Sequence, residues 1–129
     1  MSTGPSAATA ANILNAICNA TAYSIPTPYI QLHTADPGAA GTTSVAGNST
    51  RKLVSFGAAS GGAISNDAAI SWTSGEVTTS EDYTHWSLWT ASTAGTFIMS
   101  GTLTANPVTA GDEFTIPIGD LDLTMSVAA

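Results

Sequence analysis

The chain has 129 residues, of which 43% are hydrophobic and 9% charged, with a formal net charge of −7. That length suits one domain with one real core, and the charged fraction is well under the roughly 25% of an ordinary domain. Arg51 and Lys52 are its only lysine or arginine side chains. They are too few for nucleic-acid binding, in which cations must displace phosphate counterions, or for attraction to an anionic membrane surface.

The first predicted element is a helix. Ser6 follows Pro5 and can cap a first turn, and Ala10, Ile13, Leu14 and Ile17 recur at helical spacing. The pattern predicts a helix over residues 6–23, ended by Pro26 and Pro28, with a stripe that must lie on something else to be stable. Cys18 is the one cysteine, so no intrachain disulfide exists, and its neighbours Leu14, Ile17 and Ala22 predict a packed thiol. The opening residues have neither the basic nor the long apolar part of a signal peptide. No run approaches the roughly 18 apolar residues of a membrane span.

From residue 29 onward the pattern is one of short strands, at 29–34, 52–56, 69–73, 84–90, 96–104, 113–118 and 121–127. Ile30 and Leu32 alternate with Gln31 and His33, and Val54 shares a face with Phe56. Phe114, Ile116 and Ile118, then Leu121, Leu123 and Met125, repeat with period two. Turn formers separate these runs: Asp36-Pro37-Gly38, Gly61-Gly62, Asn66-Asp67, Ala94-Gly95, Asn106-Pro107, Gly111-Asp112 and Gly119-Asp120. Residues 38–48 carry no pattern and read as a surface loop. The expected architecture is mainly β, an antiparallel β-sandwich or barrel-like domain over 29–129, with one N-terminal α-helix and its connector over 1–28.

Three clusters invite a chemical reading. His33 and Asp36 lie three apart, but a strand puts His33 on the face of Tyr29 and Gln31, whereas Asp-Pro-Gly makes Asp36 the opening of a turn. The two are therefore read as a strand running into a turn. In SEDYTHWSLWT, residues 80–90, Trp86 and Leu88 share one face and His85, Ser87 and Trp89 the other. An aromatic exposed beside a histidine would stack on a sugar ring or a partner subunit; the plainer reading packs both tryptophans. Asp120 and Asp122 flank Leu121, too few oxygens for a calcium ion that takes six or more; a solvent-facing stripe explains them. Glu81 and Asp82 read as a polar loop. The nearest stretch to a nucleophile elbow, GAASG at residues 57–61, has its serine misplaced, and no phosphate-cradling loop precedes Lys52. No catalytic residue, metal or cofactor is expected. The candidate interaction surface is Ile13, Leu14 and Ile17 on the helix, with Tyr83, His85 and Trp89 on the strand.

The segments YIQLHTADPGAAGTTSVAG, RKLVSFGAASGGAISNDAAISW, THWSLWTASTAGTFIMSGTL and AGDEFTIPIGDLDLT together resemble a family of small virion proteins from tailed phages of actinobacteria. The resemblance runs from Tyr29 to about Thr124. It implies a non-enzymatic component on the particle exterior, made in the host bacterial cytoplasm. Low charge, small size and a helix seeking a neighbour then lead to the expectation of a capsid decoration or minor capsid protein. The alternative is a minor tail or tail-fibre component that binds host surface glycans. Either reading expects a homo-oligomer in contact with the major capsid protein or with tail proteins, and neither nucleic acid nor membrane as partner.

Overall fold

The computed structural model describes residues 2–128; residues 1 and 129, the outermost ends of the two expected segments, lie outside it. Helix α1, Ala7–Cys18, begins where its cap predicts: the Thr9 N–H donates to Ser6 Oγ at 3.1 Å. It stops five residues short of the sequence expectation. Asn19 donates its N–H to the Asn15 carbonyl and Ala20 turns to φ +52°, so the chain leaves the helix well before Pro26.

Eight strands follow: β1 Tyr29–His33, β2 Lys52–Leu53, β3 Ala63–Ser65, β4 Ile70–Trp72, β5 Glu81–Trp89, β6 Phe97–Val108, β7 Phe114–Ile116 and β8 Asp122–Thr124. All their pairings are antiparallel. Four form one sheet in the order β2-β1-β5-β6, and β3-β8 and β4-β7 form two short ladders. The mainly β, sandwich-like architecture follows from the alternation in these strands. Ile30 and Leu32 stand opposite Leu88 and Trp86 and pack with Ile70, Trp72, Phe114, Ile116 and Leu121 in one core.

Several boundaries differ from the sequence expectation. Strand β5 begins at Glu81, so Glu81 and Asp82 are strand residues rather than a loop. Strand β6 runs through Asn106-Pro107, which the sequence marks as a turn. A proline is tolerated there because β6 is the sheet's edge strand. That edge is covered over its first half by the N-terminal segment. Ser6 donates its N–H to the Ile98 carbonyl at 2.8 Å, and Ser100 donates its own to the Gly4 carbonyl at 2.9 Å. A carbonyl and an N–H of the edge that would otherwise invite a foreign strand are thus satisfied. Strand β3 sits where only turns were expected. Its neighbour β8 ends at Thr124, short of the expected residue 127, leaving Met125 and Val127 exposed beyond the strand.

The stretch expected as a surface loop is instead part of the body. Ala46 donates to the Leu32 carbonyl and Thr34 to that of Ser44, which extends the edge of β1. Residues 37–43 then cross the second face of the sheet. Gly41 lies so close to Phe97 that a Cβ there would come within 2.4 Å of its ring. Ala46 and Asn48 are buried.

Candidate functional site

Beneath that crossing segment lies a chain of buried polar groups. His33 Nδ1 is 2.8 Å from the Thr43 carbonyl, and Nε2 is 2.7 Å from Ser87 Oγ. Trp89 Nε1 donates to the same Ser87 Oγ at 2.7 Å. A carbonyl only accepts, so Nδ1 carries the imidazole proton and Nε2 accepts the Ser87 hydroxyl hydrogen; the tautomer is assigned from this network. Ser87 and His33 have the spacing of a hydroxyl with its base. Both are at 0% exposure, however, and Ser87 Oγ is held by Trp89, so the pair clamps the crossing segment to the sheet. Asp36 plays the turn role the sequence assigns to it: its Oδ1 accepts the Gly38 N–H at 2.8 Å, with Gly38 at φ +78°.

Burial pushes the His33 pKa below its ordinary value. The positive charges of His85 and Arg51 act in the same direction, and the bond to the Thr43 carbonyl opposes them. The folded chain therefore binds this proton less readily than the unfolded chain. Its stability contribution is complete above the ordinary histidine pKa of about 6.5 and is lost as pH falls below it. The stability difference between the wild-type chain and His33→Gln is expected to shrink from pH 7.5 to pH 5, read as urea midpoints at each pH. A difference that stays constant would show that His33 is not neutral in the fold.

Other polar side chains hold loops in the same way. Glu81 accepts the N–H groups of Gly47 and Asn48 at 2.9 and 3.2 Å. The Arg51 guanidinium lies 4.0 Å over the Trp89 ring and donates to the carbonyls of Ala91 and Ala94, fixing the β5–β6 turn by cation–π contact and by hydrogen bonds. Lys52 pairs with Glu76 at 2.8 Å, and Glu76 also accepts the Thr73 N–H. These bonds engage both of the chain's cations and two of its nine carboxylates.

The sequence-predicted surface residues divide. Leu14 and Ile17 are 60% and 72% exposed and Ile13 is half-buried. His85 is half-buried, with Nδ1 on the Thr84 hydroxyl. Tyr83 and Trp89 are inside, at 0% and 6% exposure, so neither ring belongs to the candidate interaction surface, and the plainer reading that packs both tryptophans fits Trp86 and Trp89. The ladder shifts register between Tyr83 and His85, which places Tyr83 with Trp86 in the core, edge-on to Phe114 at 4.9 Å. Trp89 is closed off by Phe97 and Arg51. Cys18, expected to be packed, is an exposed free thiol, because the end of α1 projects past the sheet.

Sequence reading missed an apolar groove of about 280 Å³ beside α1, bordered by Ile13, Ile64, Met99, Leu123 and Met125. The helical half of it was legible as a stripe; the other walls come from strands far apart in sequence. A second, polar hollow brings Asp120 and Asp122 together with Thr104, Asn106 and Thr115. Among the described residues no three His, Cys, Asp or Glu side chains converge as metal ligands would, and no helix is long and apolar enough to cross a membrane.

A central strand β1 buried along nearly its whole length, polar groups engaged in holding loops and an uncovered apolar helix define a mainly β domain. Residues 4–124 match the family of the podophage GP4 fiber I protein gp80, and the chain belongs to that family. It is accordingly a structural protein of a phage virion. The match does not tie it to phages of actinobacteria, the narrower group that the sequence resemblance suggested. No curated protein matches the chain.

Proposed function

We propose that this chain is a non-enzymatic fibre component on the outside of a phage particle, a homo-oligomer joined to tail proteins of the same virion. The observation that carries this reading is the fibre-family match across residues 4–124. It favours the fibre reading over the capsid decoration or minor capsid role to which the composition first pointed. The geometry supports a role by contact, since the buried Ser87–His33 hydroxyl–imidazole pair is out of reach of any substrate. Glycan stacking on Tyr83 or Trp89 forms no part of this proposal, because both rings are buried.

Quantifying the polypeptide in purified particles, with antibody labelling by electron microscopy, tests the assignment. Few copies confined to the tail are expected. Hundreds of copies spread over the head would return the chain to the shell, and absence from particles would overturn both readings.

A further inference from the structure

We infer that the projecting half of α1, carrying Leu14 and Ile17, seats in the apolar groove of a second copy of this chain. The helix has 12 residues, and Thr9 is its one buried residue. Isolated helices shorter than about 12–15 residues are marginal in water. Here the first turn is tied to β6 through Ser6, while Leu14 and Ile17 stand 60% and 72% exposed. Two large aliphatic side chains held out on a short, uncharged helix call for a covering surface.

The shape of the same face says what covers it. Knob and groove meet at Ile13, which belongs to the helix and also lines the groove with Ile64, Met99, Leu123 and Met125. Each copy therefore offers both the apolar projection and the apolar recess side by side. Two copies related by a two-fold axis can exchange them reciprocally, the arrangement of an isologous interface.

Charge makes the same choice of partner. No Asp, Glu, Lys or Arg occurs in residues 1–35 or 123–128, in a chain of net charge −7. None of the residues lining the groove is charged. Over most of the remaining surface, copies would bring carboxylates together; on this face they do not. A basic partner, the natural complement of an acidic chain, would find no carboxylate here to pair with. The inference rests on the homo-oligomer of the proposed function and gives it an interface, but not on the fibre assignment, since it concerns how copies meet and not where on the particle they sit.

The test is the mass of the full chain by light scattering over a dilution series. The wild-type chain is expected at a multiple of 12.9 kDa. The double variant Leu14→Asp, Ile17→Asp is expected at the monomer mass, with the sheet unchanged by circular dichroism. Met125→Asp, in the lining of the groove and outside the helix, is expected to dissociate the assembly too, so the test does not depend on α1 surviving its substitutions. A monomeric wild-type chain, or Met125→Asp retaining the wild-type mass, would overturn the interface. Neither outcome bears on the copy number in particles, which tests the fibre reading separately.

Discussion

Trp86→Ala is expected to cost about 3–5 kcal/mol of folding stability, a large share of the roughly 5–15 kcal/mol that holds a domain together. Trp86 stands on β5, an inner strand with β1 on one side and β6 on the other, and is 2% exposed. Its indole lies directly over Gly101 of β6, where a Cβ would come within 2.3 Å of ring atom Cζ2. The glycine is thus required by close approach of the ring and not by an unusual backbone angle. Gly101→Ala is expected to cost about 1–3 kcal/mol, because the surrounding core leaves the ring little room to shift. The two losses are not additive. Once the ring is truncated, the alanine methyl enters space the indole has left, so the double variant is expected to lose less than the sum of the single losses. Trp86→Phe is expected to cost much less than Trp86→Ala, since the indole N–H has no partner among the described residues and no hydrogen bond is lost with it. Urea midpoints at constant m value read the four variants against the wild-type chain; strict additivity in the double variant would refute the ring-on-glycine contact.

The second large effect is expected at Asn66. Its carboxamide is 1% exposed and makes four hydrogen bonds. Nδ2 donates to the carbonyls of Ala68 and Pro117, both at 2.9 Å. Oδ1 accepts the N–H groups of Gly119 at 3.1 Å and Leu121 at 3.0 Å. One side chain thereby fastens the segment between β3 and β4 to the turn between β7 and β8. Asn66→Asp keeps the shape and both acceptor bonds but turns the donor into a carboxylate oxygen facing two carbonyls. The expected loss is about 3 kcal/mol or more at pH 7, from two orphaned acceptors and an unpaired buried charge. Protonation restores one donor, so the folded state raises the new carboxyl's pKa above the ordinary value of about 3.9. A group with its folded pKa raised gains stability as pH falls through that value. The variant's deficit relative to the wild-type chain is therefore expected to narrow between pH 7 and pH 4.5. A deficit that widens over that range would show that the Asn66 amide nitrogen is not the donor to Ala68 and Pro117.

These two sites show where sequence reading succeeds and where it stops. Asn66-Asp67 was visible as a turn, because Asn commonly occupies turns. That its carboxamide reaches residues 51 to 55 positions away has no local signature. The strand around Trp86 was visible through its alternation, and so was the shared face of Trp86 and Leu88, though not that this face is the core. The burial of Trp89 fits the plainer reading, which packs both tryptophans: Trp89 keeps the face of Ser87, and Arg51 and Phe97 cover it. The placement of Tyr83 was not legible, because alternation assigns faces only while the ladder stays regular, and β5 and β6 shift register between Tyr83 and His85. The helix cap at Ser6 was legible as a side chain able to satisfy its own neighbours. The end of α1, and with it the exposure of Cys18, depended on where the helix runs off the sheet.

What the sequence determined by itself was the class of object: short alternating strands, one capped helix, and too few cations for nucleic acid or anionic lipid. These are properties of composition and of spacings under about ten residues, and they hold whatever the chain packs against. The tertiary structure alone decided which of the two sheet faces is covered, and by what. Residues 38–48 read as an unpatterned surface loop because their burial comes from backbone bonds to β1, from Glu81 and from the ring of Phe97. It decided, too, that the stripe of α1 is left without a cover inside its own chain. A hydrophobic pattern says which side chains avoid water; only the arrangement of the other strands says whether one chain is enough to shield them.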